Sequence, residues 1–251
     1  MPIIKLKEFF KLKFYRMVNR FLKTFLTFSA DGEDVILGKL FSNKLDGFYL
    51  DIGANSYQFG SNTYYFYLLG WSGICIDPLP NLKKSYSKYR PRDCFLNKAI
   101  VNNKTKDFEK KLFLFDDLDN STTSKNRLND LKQNFDRTPT KILTIETITT
   151  KNLIETYVNK KDIHILNLDI EGGEKEILQD FMNLKVLPWV ICVEELGIFS
   201  DHVSKQSEIY KLLNKNSYIF FSKTFLSSIY IHKDSIKKFN TPYLNDFNLR
   251  I

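Results

Sequence analysis

The chain has 251 residues, 43% of them hydrophobic and 26% charged, enough apolar side chain for a sizeable core in one domain with an appendage. No run of about 18 apolar residues appears and charges interrupt every apolar run near the N-terminus, so neither a spanning helix nor a signal peptide is expected. The net charge of +8 is concentrated in residues 1–28, where seven basic residues face one acid, and the nearly neutral remainder (+2) argues against a nucleic-acid substrate.

In chain order, Ile3, Leu6, Phe10, Phe14, Met17, Phe21, Phe25 and Phe28 recur at intervals of three and four. This spacing predicts one amphipathic helix over residues 1–28, with Lys13, Arg16, Arg20 and Lys23 beside the seam. Three uses compete for it: packing on the domain or on a second copy of the chain, resting on an anionic membrane surface, or docking another protein. Ser29-Ala30-Asp31-Gly32 stops the helix, and Asp31, Glu33 and Asp34 open a second one at the head of a domain over residues 29–251.

Residues 48–78 read as a buried strand ending at Ile52, a turn through Gly53, a helix, and a second buried strand ending at Asp77. A parallel β-α-β unit with Gly at its first turn and an acid ending its second strand is a nucleotide-ligand site, the turn letting backbone N–H groups approach the ligand. Only one glycine occurs in Gly53-Ala54-Asn55-Ser56, so the G-x-G-x-x-G that a diphosphate needs is missing. With Asp51 beside it, this turn suits a nucleoside bearing a cationic amine and no phosphate, for which S-adenosylmethionine is the candidate.

After Asp77 the pattern gives a helix from Asn81 to Tyr89 and a single strand CFLNKAIV (residues 94–101). Residues 102–140 are the most polar segment, expected to form an insertion or flap with a strand-like run at Lys110–Phe115 and a helix at Lys125–Phe135. Alternation then resumes with the strand KILTIETI, a helix near Thr150–Asn159, the strand IHILNLDIEGG, a helix over Glu174–Met182, the strand WVICVEEL and a helix around Ser204–Leu213. Two adjacent strands, SYIFFSK and SSIYIHK, close the chain as an antiparallel hairpin. The fold class is therefore α/β, a Rossmann-like, seven-stranded, mostly parallel sheet with a terminal antiparallel hairpin, the class I methyltransferase topology. Cys75, Cys94 and Cys192 lie in strand-like runs without metal-site spacing and are expected to be buried free thiols of a cytoplasmic protein.

In open α/β sheets the ligand lies beyond the carboxyl ends of the strands. Four of those ends are acidic: Asp51, Asp77, Asp169 with Glu171, and Glu194 with Glu195. Clustered carboxylates can hold a ribose and an amine, deprotonate a hydroxyl, or ligate a divalent metal. Asp169 is the first candidate for a general base, with Glu171 and Glu194 next, and the same three would bind Mg²⁺ if a metal is used. His202 is an alternative base, His164 is expected to be structural, and His232 carries little signal.

The chain resembles the FkbM family of S-adenosylmethionine-dependent methyltransferases in SADGEDVIL (residues 29–37), FYLDIGAN, SNTYYFYLLGWSGICIDPLP, YRPRD with LNKAI, LDIEGGEKEIL and VICVEE. It departs from many members at Ser56-Tyr57, where they have Asp-Gly. The resemblance implies methyl transfer to a hydroxyl oxygen, commonly on a sugar, sugar nucleotide or glycan of surface-polysaccharide synthesis. It also implies that Asp51, Gly53, Ala54 and Asn55 line the amino-acid end of the cofactor and that Asp77 holds the ribose. Asn97 and Lys98 fall near the adenine, Ser61 and Asn62 at the opening of the first helix, and Asp169 and Glu171 on the acceptor side. Two further readings stay open: an NAD(P)-dependent sugar-nucleotide oxidoreductase or epimerase, and a cofactor-binding module without turnover. A cytoplasmic location is expected, with peripheral contact at the inner face of a membrane as one use of residues 1–28.

Overall fold

The computed structural model describes residues 3–22, 26–41, 46–117, 121–159, 161–196 and 207–239. Strands β1 (Phe48–Ile52), β2 (Ser72–Ile76), β3 (Cys94–Leu96), β7 (Ile165–Leu168), β8 (Val190–Glu194), β9 (Tyr218–Lys223) and β10 (Ser227–His232) form a seven-stranded sheet. Its order is β3-β2-β1-β7-β8-β10-β9. The strands from β3 to β8 are parallel, and β10 runs antiparallel to both neighbours. The closing pair is thus antiparallel, but the last strand inserts between β8 and β9 and leaves β9 at the edge.

Alternation along the buried strands divides the core into two layers. Leu50, Ile52, Leu166, Leu168, Ile191 and Val193 face a cluster containing Leu153, Ile177, Phe181 and Leu213. These come from α6 (Thr150–Leu153, extended by a π turn over Ile154–Val158), α7 (Glu174–Asn183) and α8 (Glu208–Lys215). On the opposite face Tyr49, Cys75, Ile165, Val190 and Cys192 pack with Leu37, Phe66, Tyr67 and Tyr86. Those belong to α2 (Glu33–Leu40), α3 (Tyr64–Leu69) and α4 (Leu82–Tyr89).

Two expectations are corrected. CFLNKAIV is not one strand: β3 stays in the main sheet, and β4 (Ala99–Val101) leaves for a second sheet. The break is at Asn97, whose side-chain amide donates to the carbonyls of Asp77 and Leu79, both at 2.8 Å, while Lys98 N–H closes a turn on Leu96 O at 3.0 Å. KILTIETI likewise lies outside the main sheet, as β6 (Lys141–Thr149), parallel to β4 and antiparallel to β5 (Glu109–Leu114). The physical reason was in its composition: Lys, Thr and Glu alternate with Ile and Leu, which suits a one-sided strand and not a doubly covered one. The polar segment 102–140 holds β5 and α5 (Lys125–Phe135).

The first helix, α1, is described over Ile3–Leu22, and residues 26–28 lie outside it. Phe28 lies beyond it, stacked on Tyr15 at 5.1 Å between centroids and edge-on to Tyr64 at 5.0 Å. Cys75 and Cys192 are buried, but Cys94 is exposed at the start of β3.

Candidate active site

Strands β2, β1, β7 and β8 are neighbours, so their acidic carboxyl ends stand side by side on one rim. Above them opens a cavity of about 1100 Å³ lined by Asp51, Asp77, Asn62, Asn167, Asp169, Glu171 and Glu194. Its opposite wall comes from the second sheet and α5, including Ile100, Lys110, Leu112 and Lys125.

The β1 turn is tighter than its sequence implied. Gly53 has φ 81°, and an added Cβ would sit 1.5 Å from the Asp169 carbonyl oxygen. Glycine is therefore required by the contact between the β1 and β7 turns. The N–H groups of Gly53 and Ala54 both donate to Ile76 O, at 2.9 and 3.1 Å, so they serve the fold and are not aimed at a ligand. Asn55, at φ 41°, donates its N–H to Asp77 Oδ2 at 2.8 Å, and Leu79 N–H reaches Asp77 Oδ1 at 2.8 Å. Each carboxylate oxygen keeps a second lone pair for a ligand hydroxyl. Burial pushes the Asp77 carboxyl up to about 6, against the lowering effect of those two backbone donors.

Asp51 lies at the cavity floor, only 1% exposed. Asn167 Nδ2 donates to its Oδ1 at 2.9 Å, Thr63 Oγ1 donates to its Oδ2, and Asn62 Nδ2 donates to Asn167 Oδ1 at 2.8 Å. Burial raises the Asp51 carboxyl, and the Arg90 charge opposes the rise. Arg90, with no exposure, donates to Asp93 Oδ2 (2.6 Å), Thr63 Oγ1 (2.8 Å), Tyr49 OH (3.0 Å) and Ser61 Oγ (3.2 Å). Ser61 also accepts from Tyr64 N–H at 3.1 Å, so its hydroxyl serves mainly to start α3. Tyr57, the bulky turn residue, stacks on Tyr89 at 4.5 Å and leaves Ser56 on the cavity wall.

Beyond the ends of β7 and β8, Asp169, Glu171 and Glu194 each present a carboxylate oxygen within 4.8 Å of the others. Burial first, then the charges of Glu171 and Glu174, raise Asp169, while a hydrogen bond with Glu194 opposes the rise. Glu194 is raised still further, by burial and then by the charge of Asp169. The two carboxyls are joined by this hydrogen bond and titrate as a pair. Glu171 sits at φ 55°, its Oε2 accepting from Arg127 Nε of α5 at 3.0 Å and its carbonyl from Thr122 Oγ1 at 2.8 Å. The neighbouring Glu195 is turned into the protein, where Ser207 and Ser228 (2.6 Å) donate to its carboxylate.

Of the residues anticipated from the sequence, Asp51, Gly53, Ala54, Asn55, Ser61, Asn62, Asp77, Asp169, Glu171 and Glu194 all line one cavity. Asn97 and Lys98 do not: the Asn97 amide is used by backbone carbonyls, and Lys98 pairs with Glu146 at 2.7 Å. The chain leaves β3 there, so Ala99 and Ile100 reach the wall in their place. His202 lies outside the described residues. His164 accepts Phe48 N–H at 3.1 Å between Trp71 and Trp189, and His232 caps the final turn through Asp234 N–H at 3.3 Å. Sequence reasoning gave no role to Asn167, Thr63 or Arg90. Asn167 did carry a signal, as the one amide in the apolar run ILNLD.

A family model, the methyltransferase FkbM domain, matches residues 51–220, more than half of the chain. The chain belongs to this family. Its matched span runs from Asp51 through the second sheet to β9 and includes every described acid on the rim. FkbM membership makes the protein a methyltransferase and implies S-adenosylmethionine as its methyl donor. No curated protein and no solved structure matches the chain. Among the described residues no helix is long and apolar enough to cross a membrane.

Proposed function

We propose that this FkbM methyltransferase methylates a hydroxyl oxygen of a sugar, carried on a sugar nucleotide or glycan of surface-polysaccharide synthesis. The observation that supports it most is the Asp169–Glu194 carboxylate pair in the same cavity as Asp51 and Asp77, on neighbouring strand ends. The cavity suits the cofactor chemically. Asp77 has acceptor capacity for ribose hydroxyls, the Asp51–Asn62–Asn167 network offers polar partners beside a negative charge for the amino-acid end, and Leu79 and Ile100 supply an apolar wall.

S-adenosylmethionine, when bound, supplies a methyl group already activated by its sulfonium. The protein has then to align an acceptor hydroxyl with it and remove the hydroxyl proton as the new O–C bond forms. Asp169 takes that proton at a carboxylate oxygen. Glu194 orients Asp169 through their shared hydrogen bond. Lys110 and Lys125 on the facing wall suit an acceptor bearing phosphate or carboxylate.

The proximity of Asp169, Glu171 and Glu194 favours one second reading, in which they hold a divalent cation such as Mg²⁺. Incubation with labelled S-adenosylmethionine and a panel of sugar nucleotides and glycans, read by mass spectrometry, tests the primary reading. A labelled methyl ether on a sugar is the expected product. S-adenosylhomocysteine should raise the melting temperature where NAD does not, and the reverse pattern would restore the oxidoreductase reading. Activity that vanishes with EDTA and returns with Mg²⁺ would favour the cation.

A further inference from the structure

The first helix is amphipathic in sequence, yet Phe10, Phe14 and Met17 of its apolar seam do not face the domain. Helix α1 docks on α3 through a different side, where Leu12 packs against the aromatic core cluster. Tyr15 stacks on Phe28 there, and Asn19 Oδ1 accepts Leu26 N–H at 2.9 Å. At about 100° per residue, Phe10, Phe14 and Met17 point opposite to Leu12 and Asn19. They are 59%, 64% and 58% exposed. In the sequence, Ile3, Leu6 and Phe21 continue the same spacing. Three large apolar side chains in a row on an outward face are more than scattered surface residues.

The charge beside them selects the partner. Arg16 and Arg20 are exposed on one flank of the seam, in a segment of net +6. A second copy packed on this face would bring two basic segments together. An anionic lipid surface complements the charge and accepts the aromatic and thioether side chains between its headgroups. The helix is too charged to cross a membrane and suits lying in the plane of the interface. We infer that α1 holds the protein on anionic membrane surfaces, with Phe14 and Met17 entering the lipid and Arg16 and Arg20 engaging the headgroups. The inference is independent of which acceptor is methylated.

Co-sedimentation of the full chain with vesicles of phosphatidylcholine, with or without phosphatidylglycerol, tests it. Binding to the anionic vesicles should exceed binding to the neutral ones roughly tenfold or more and weaken as salt is raised. F14S/M17S and R16Q/R20Q should each lower the anionic partition by about tenfold, with unchanged melting temperature because all four side chains are exposed. Equal partition on the two vesicles overturns the inference, as does anionic binding that survives both double substitutions. Self-association in sedimentation velocity that F14S/M17S abolishes, without vesicle binding by the wild type, assigns the face to a second copy instead.

Discussion

Gly53 is where the β1 turn meets the β7 turn, backbone against backbone. The left-handed φ and the 1.5 Å approach of an added Cβ to the Asp169 carbonyl oxygen mean that any side chain must part β1 from β7. Gly53→Ala is expected to lose about 3 kcal/mol or more of unfolding free energy in urea titration. A loss below about 1 kcal/mol would mean that the two turns separate freely. Asp169 offers a test of chemistry. Asp169→Asn should lower kcat by about 10²- to 10⁴-fold while cofactor binding persists in calorimetry, and unaltered turnover would remove it as the base. Burial and then the Glu171 charge raise its carboxyl, so Glu171→Gln should lower that pKa and move the acid limb of the kcat/KM profile to lower pH. A limb that stays in place assigns the titration to another group.

Among the elements, the buried Arg90–Asp93 pair joins parts that are distant in sequence. Through Tyr49, Thr63 and Ser61 it ties β1 to the start of α3, which carries the Asn62 amide into the cavity. Arg90→Ala leaves Asp93 buried without its countercharge, and about 3–5 kcal/mol of stability should be lost in denaturant melts. The Lys98–Glu146 pair is a useful contrast, its side chains being 31% and 69% exposed, and its removal should change stability by less than about 1 kcal/mol. Equal effects at the two pairs would contradict the burial argument. Nothing in YRPRD distinguishes the two arginines, because burial of Arg90 depends on Tyr49, Tyr67 and Tyr86 meeting around it. The helix Lys125–Phe135, by contrast, was legible at both ends, since Ser124 caps it with a side-chain oxygen accepting Arg127 N–H at 3.3 Å.

For the whole molecule, gathering acids on one rim has a consequence for stability. Asp51, Asp77, Asp169 and Glu194 all have carboxyls raised chiefly by burial. A raised acid binds its proton more tightly folded than unfolded, so its contribution is present below the unfolded pKa and is lost as pH rises through the folded one. For Asp77 that window runs from 3.8 to about 6, a difference worth up to about 3 kcal/mol. Unfolding free energy of the ligand-free protein should therefore fall between about pH 5 and about pH 8, and a rise across that range would mean the rim is ionised without cost. The strand–helix alternation, the four acidic strand ends and the family motifs are legible in the chain alone, because periodicity, caps and turn residues are local properties. The sequence also showed that α1 is amphipathic. Tertiary contacts were needed to show that Asn97 and Lys98 leave the rim, that KILTIETI builds a second sheet, and that Phe10, Phe14 and Met17 of α1 face outward. Each of these depends on which surfaces meet, and one chain's periodicity specifies that a face is apolar without specifying what covers it.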